Sequence, residues 1–179
     1  MKRLLLSLGV AGAMGAGAFA QEAAVVDLAF LNAWYHPENV TGLRVTIPYS
    51  TKTDTITGID VGFWGKSASM AGIGVNIVAN IVTDRADAIQ IAGYNYAGTL
   101  SGAQVGLMNR TGYGALGWDT RLMFSACVQV GVLNIANDLR GIQVGLINQA
   151  DMLYGFQVGL VNVIKSGQIP FMPVLNVGF

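Results

Sequence analysis

Along most of this chain, apolar and polar positions alternate in a short unit that recurs. Gly141-Ile142-Gln143-Val144-Gly145-Leu146-Ile147-Asn148 is followed 14 residues later by Gly155-Phe156-Gln157-Val158-Gly159-Leu160-Val161-Asn162. Gly102 to Asn109 repeats the unit around Gln104, Gly106 and Asn109, and Val128 to Asn134 repeats it around Gln129, Gly131 and Asn134. Weaker copies lie upstream, at Ile89-Gln90-Ile91, Gly72-Ile73-Gly74-Val75, Gly58-Ile59-Asp60-Val61 and Gly42-Leu43-Arg44-Val45. The anchor positions are 44, 60, 74, 90, 104, 129, 143 and 157. Steps of 14 or 16 are interrupted only between 104 and 129, where Thr111 to Asp119 form the widest connection.

The period of two within each copy is that of a half-buried strand. Val and Ile, whose branched side chains suit a pleated surface, dominate the apolar positions. A helix would carry paired glycines at a cost of about 1 kcal/mol each. Turn-forming residues separate the copies, as in Asn137-Asp138 and Lys165-Ser166-Gly167. With a strand near Val26 to Trp34 and a last one at the C-terminus, the pattern predicts about ten strands. One face is expected to be Ile, Val, Leu and Phe, and the other Gln, Gly and small residues. Identical amides on successive strands can bond to one another, which makes Gln104, Gln129, Gln143 and Gln157, with Asn109, Asn134, Asn148 and Asn162, structural residues of the repeat. Gly106, Gly131, Gly145 and Gly159 leave room beside the Gln side chains or let the sheet bend.

Composition sharpens this picture. Of 179 residues, 53 % are hydrophobic and 11 % charged, against about 25 % charged in an ordinary soluble domain. Disorder is excluded on that ground. Ten Lys and Arg balance ten Asp and Glu, so no nucleic-acid partner is expected. Lys2 and Arg3 precede an apolar run that ends in Ala18-Phe19-Ala20, the pattern of a cleaved export signal over residues 1–20. Residues 21–179 then form a single repeat-built β domain, exported to the outer membrane or cell surface. No later apolar stretch reaches the length of a spanning helix, so the apolar face is either a core or faces lipid as strands.

At the C-terminus Phe171, Leu175, Val177 and Phe179 stand at alternate positions with Pro173. This resembles the closing strand of bacterial outer-membrane barrels, which implies membrane lipids and the barrel-assembly machinery as partners. The repeats themselves resemble an uncharacterised bacterial surface-repeat family built from G-x-Q-x-G-L-x-N units, which implies an envelope location and no known activity. Gly74 in a Gln position and the gap before Gln129 depart from the unit and leave the local register open. The runs from Gln129 to Ala136 and from Gln143 to Ala150 are also similar to the core of curlin repeats, which implies secreted fibres.

The fold expected is therefore all-β, an up-and-down antiparallel β-barrel of about ten strands, with a β-solenoid as the alternative. Backbone groups in lipid must all be paired, which favours closure. Trp34, Tyr35, Tyr49, Trp64, Tyr94, Tyr96, Tyr113, Trp118 and Tyr154 are candidates for interfacial girdles. The short connections and constant step suit a solenoid better.

No catalytic constellation is evident, and no enzyme, cofactor, metal or small-molecule substrate is expected. His36, the only histidine, reads as an exposed loop residue beside Pro37, since nothing sets a triad spacing with Asp27 and a serine. Asp84 and Asp87 around Arg85 read as a solvated turn. Asp60, Asp119 and Arg121 are expected to form an internal charge pair. Cys127 reads as a small buried hydrophobe. Gly72-Ile73-Gly74 lacks the Lys-Ser/Thr of a phosphate loop.

Overall fold

A computed structural model describes residues 24–30, 38–112 and 125–179. The expected signal segment, His36, Trp34, Tyr35, Tyr113, Trp118, Asp119 and Arg121 lie outside the described residues. Within them the chain is all-β, without a helix. Its elements are β1 (Ala24–Phe30), β2 (Asn39–Thr111), β3 (Ser125–Ile164) and β4 (Phe171–Gly178).

All four belong to one sheet in the order β1-β2-β3-β4. β1 pairs with β2 and β2 with β3 in parallel. Only β4 is antiparallel, against the last part of β3. The sheet is open, since β1 and β4 lie at its two ends and do not meet. This departs from the expected up-and-down antiparallel barrel of about ten strands. An alternating pattern gives the period of two whichever way neighbouring strands run, so it could not distinguish the two pairings.

β2 and β3 are too long to be single straight strands. The chain winds back on itself, so that each copy of the repeat lies on the one before. Gln143 bonds to Gln129 and Asn148 to Asn162 across 14 residues. The longer step before Gln129 keeps the same alignment, with Gln104 beside Gln129, Gly106 beside Gly131 and Asn109 beside Asn134. The register left open by the sequence is therefore continuous across this step, from Ser101 beside Ala126 to Thr111 beside Ala136.

Glycine makes the corner. Gly141 and Gly155 have φ of 150° and 147°, a region that L side chains rarely adopt. A Cβ on Gly155 would also run into the carbonyl oxygen of Gly141, and one on Gly141 into that of Cys127. The recurring first glycine of the unit thus turns the backbone and lets successive turns approach.

The interior has two kinds of lining. Apolar columns rise through residues 14 apart, as in Ala136, Ala150 and Ile164, or Leu139 and Leu153. Polar columns of Gln and Asn run beside them, all fully buried. The Ile, Val and Leu of the repeat point outward, with Val144 39 % and Leu146 52 % exposed.

Candidate functional site

Each Gln of the repeat crosses the inside of its turn. Gln143 Nε2 donates to Gln129 Oε1 at 2.7 Å and to the carbonyl oxygen of Gln149 at 3.2 Å. Gln157 donates to Gln143, Gln129 to Gln104 and Gln104 to Gln90, at 2.7 to 2.9 Å. The second bond always goes to the backbone six residues on, which ties two sides of one turn together.

The Asn column runs in the opposite sense. Asn95 Nδ2 donates forward to Asn109 Oδ1, Asn109 to Asn134, Asn134 to Asn148 and Asn148 to Asn162, at 2.7 to 2.9 Å. Each also reaches a backbone carbonyl of the following turn, as Asn134 does to Val144 at 3.0 Å. The amide dipoles of the two columns therefore oppose one another. The Gln column ends at Gln157 Oε1, a buried acceptor without a donor, because its donor would have to come from a further turn.

The second glycine of the unit serves the Asn column. A Cβ on Gly131, Gly145 or Gly159 would stand 2.6 Å from the amide nitrogen of Asn109, Asn134 or Asn148 and would strike the preceding turn's backbone. Gly106 faces Asn95 in the same way, at 2.8 Å. The room expected for the Gln side chains is thus room for the neighbouring Asn amides.

Where the repeat is weakest the columns are replaced by charge. Arg44 Nε and Nη2 each donate to a carboxylate oxygen of Asp60 at 2.8 Å, with the side chains 1 % and 3 % exposed. Thr46 Oγ1 donates to Asp60 at 3.2 Å, Asn76 Nδ2 donates to it at 3.0 Å, and Arg44 Nη1 reaches the Lys66 carbonyl at 3.0 Å. Asn76 also bonds to Asn80, which continues to Asn95 at 3.1 Å. One connected polar path therefore runs from Arg44 to Asn162. Asp60 does form an internal ion pair, as expected, but its partner is Arg44. The signal was present in the sequence, since 44 and 60 are successive anchors carrying opposite charges.

The terminal pattern is seated on the last turn. Phe171 stands opposite Val163, Leu175 opposite Val158 and Val177 opposite Phe156. All four alternate residues remain exposed, Phe179 at 86 %. The register slips between Gly159 and Asn162, and Val174 has φ of 69°. β4 ends the stack and does not close a barrel.

The remaining candidates are quiet chemically. Cys127 is buried, and burial pushes its thiol up to about 12. Arg85 pairs with Asp87 at 2.7 Å on the surface, and its hydrogen bonds hold the Asp87 carboxyl below the usual range. Among the described residues no group of His, Cys, Asp and Glu is placed to hold a metal ion. The girdle candidates within the described residues lie at two places. Tyr49, Trp64, Tyr94 and Tyr96 line a groove of about 520 Å³ with Lys66, while Tyr154 lies 5.4 Å beneath the Arg140 guanidinium.

No family model, curated protein or solved structure matches this chain.

Proposed function

We propose that the chain is a non-enzymatic β-repeat protein of the bacterial envelope, exported to the outer membrane or cell surface, with a structural or surface-interaction role. The observation that carries this reading is the division of labour in the repeat. Its polar residues are consumed inside, in amide columns, and its apolar residues face outward. A soluble domain places these the other way round. The export pattern of residues 1–20 and the likeness of the repeats to bacterial surface-repeat proteins support the same location.

Within this reading the fold is a β-solenoid. Parallel pairing at a 14-residue step supports a coil over a closed antiparallel barrel. Membrane lipids remain the expected partner. Recognition by the barrel-assembly machinery belongs to the barrel reading, carried by the Phe171 to Phe179 pattern.

A second reading, secreted curlin-like fibres, is favoured by one feature. In-register ladders of Gln and Asn between parallel strands are the cross-β device, and here they are complete within one chain. One fractionation tests all of these. Envelope, medium and insoluble material are separated, stained with thioflavin, and run on gels with and without boiling. The protein is expected in the envelope fraction and thioflavin-negative, without the heat-dependent shift of a closed barrel. Thioflavin-positive fibres in the medium would favour the second reading, a heat-dependent shift would restore the barrel, and retention in the cytoplasm would overturn both locations.

A further inference from the structure

Side chains at residues 42–48, 58–63, 72–77 and the equivalent runs up to 155–160 form one side of the coil. Its outward positions are apolar throughout, from Leu43, Ile59 and Val61 to Val158 and Leu160. The two charged residues within these runs, Arg44 and Asp60, point inward and pair with each other. Eight stacked rows, one per anchor, at the roughly 4.8 Å strand spacing and each about 15 Å wide, give an apolar area on the order of 600 Å². That is the upper end of what monomers expose.

The edges of this side have their own chemistry. On one edge Trp64 and Tyr94 stand four residues after their anchors, and Lys66, Tyr96 and Arg110 six after. On the other, Arg140 and Tyr154 stand three residues before theirs and stack on one another. Both borders thus carry aromatic rings beside cations. The acidic residues lie further round the coil. Glu38, Asp54, Asp84 and Asp151 are each six residues before an anchor, and Asp138 is five before. Asp87 is the acidic exception, standing on the edge itself three residues before its anchor, and it is paired with Arg85.

We infer that this side is a lipid-contacting face, on which the coil lies along a phospholipid membrane. This rests on the envelope reading and gives it a mode of attachment. Tyr and Trp seat at the depth of lipid headgroups, and Lys and Arg reach from an apolar body to phosphate. The arrangement is the β counterpart of an amphipathic helix at a membrane surface. A second copy is the other occupant such a face could take. An area on the order of 600 Å² falls short of the roughly 800 Å² per partner of a standard stable interface, whereas lipid contact has no such threshold. With cations on both borders, a self-paired face would also set like charges against one another.

The test is flotation of the purified mature chain with vesicles of phosphatidylcholine and phosphatidylglycerol. Leu107, Leu146 and Leu160 are exposed in one apolar column of the face, three residues after their anchors. The combined variant Leu107→Lys/Leu146→Lys/Leu160→Lys is expected to keep its β circular dichroism and lose flotation at least tenfold. Met152→Lys, away from the face, is expected to float like the parent, which keeps the test informative if the triple variant fails to fold. Equal flotation of parent and folded triple variant would overturn the assignment. So would a parent chain that ignores vesicles and runs as a dimer that the triple variant dissociates. Failure of the envelope reading is seen separately, in the cell fractions, and would leave a positive flotation result standing.

Discussion

At the scale of single residues, the buried charge is the most exposed to test. Arg44 and Asp60 are held in a bidentate pair with further bonds from Thr46 and Asn76. A buried pair of this kind adds little over an apolar substitute, but removing one partner strands the other and costs about 3–5 kcal/mol. Asp60→Asn keeps the shape and removes the carboxylate that Arg44 Nε and Nη2 both grip, leaving buried Asp27, opposite Arg44 in the β1–β2 register, as the carboxylate beside it. The expected outcome is a loss of that size in urea unfolding. Thr57→Ala, at an exposed position, is expected to change the unfolding free energy by no more than about 0.5 kcal/mol. An Asp60→Asn variant as stable as the parent would mean that the pair is solvated in solution. Cys127 gives a simpler check. Its thiol is buried and pushed up to about 12, so it is expected to resist thiol reagents at neutral pH in the folded chain and to react only after unfolding.

At the scale of the element, the turn of the coil depends on two glycines for two different reasons. The first, as at Gly155, needs its positive φ and the space against the Gly141 carbonyl. The second, as at Gly145, needs only the space. Gly155→Ala is therefore expected to cost more than Gly145→Ser does in conformation, and at least about 1–3 kcal/mol from strain alone. Equal urea midpoints for Gly155→Ala and the parent would show that the corner relaxes. This is also where the sequence was most and least legible. The strand character, the amide columns and the buried Cys127 follow from period and spacing alone. The direction of pairing does not, because alternation at Gln143 to Leu146 reads the same in a hairpin and in a coil. The partner of each glycine was hidden for a related reason. Gly145 sits beside Gln143 in sequence, but the side chain it accommodates, Asn134, belongs to the turn before. Resolving the 104-to-129 step needed three dimensions too, since only the alignment of Asn109 with Asn134 shows that the register continues across it.

At the scale of the whole molecule, the described coil is close to one-dimensional: turn is bonded to neighbouring turn along it, so stability is close to a sum of turns and interfaces. The amide columns give this a direction. Gln143 is both acceptor for Gln157 and donor to Gln129, so losing it affects two turns, while losing Gln157 affects one bond down the column and leaves a terminal acceptor that was already unpaired. A double-mutant cycle makes the point measurable. Gln143→Ala and Gln157→Ala remove the same hydrogen bond, so their combined cost is expected to fall short of the sum by about 1 kcal/mol, within the usual range for residues in contact. Gln90→Ala and Gln157→Ala share no partner and lie far apart in the stack, so their costs are expected to add within about 0.5 kcal/mol. The measurement is the urea midpoint with hydrogen exchange of the column amides, because a repeat array can open from one end without unfolding throughout. Strong coupling between Gln90 and Gln157 would mean that the columns act as one polarised unit along their length, and that the opposed Gln and Asn dipoles, not the contacts between neighbouring turns, hold the coil in register.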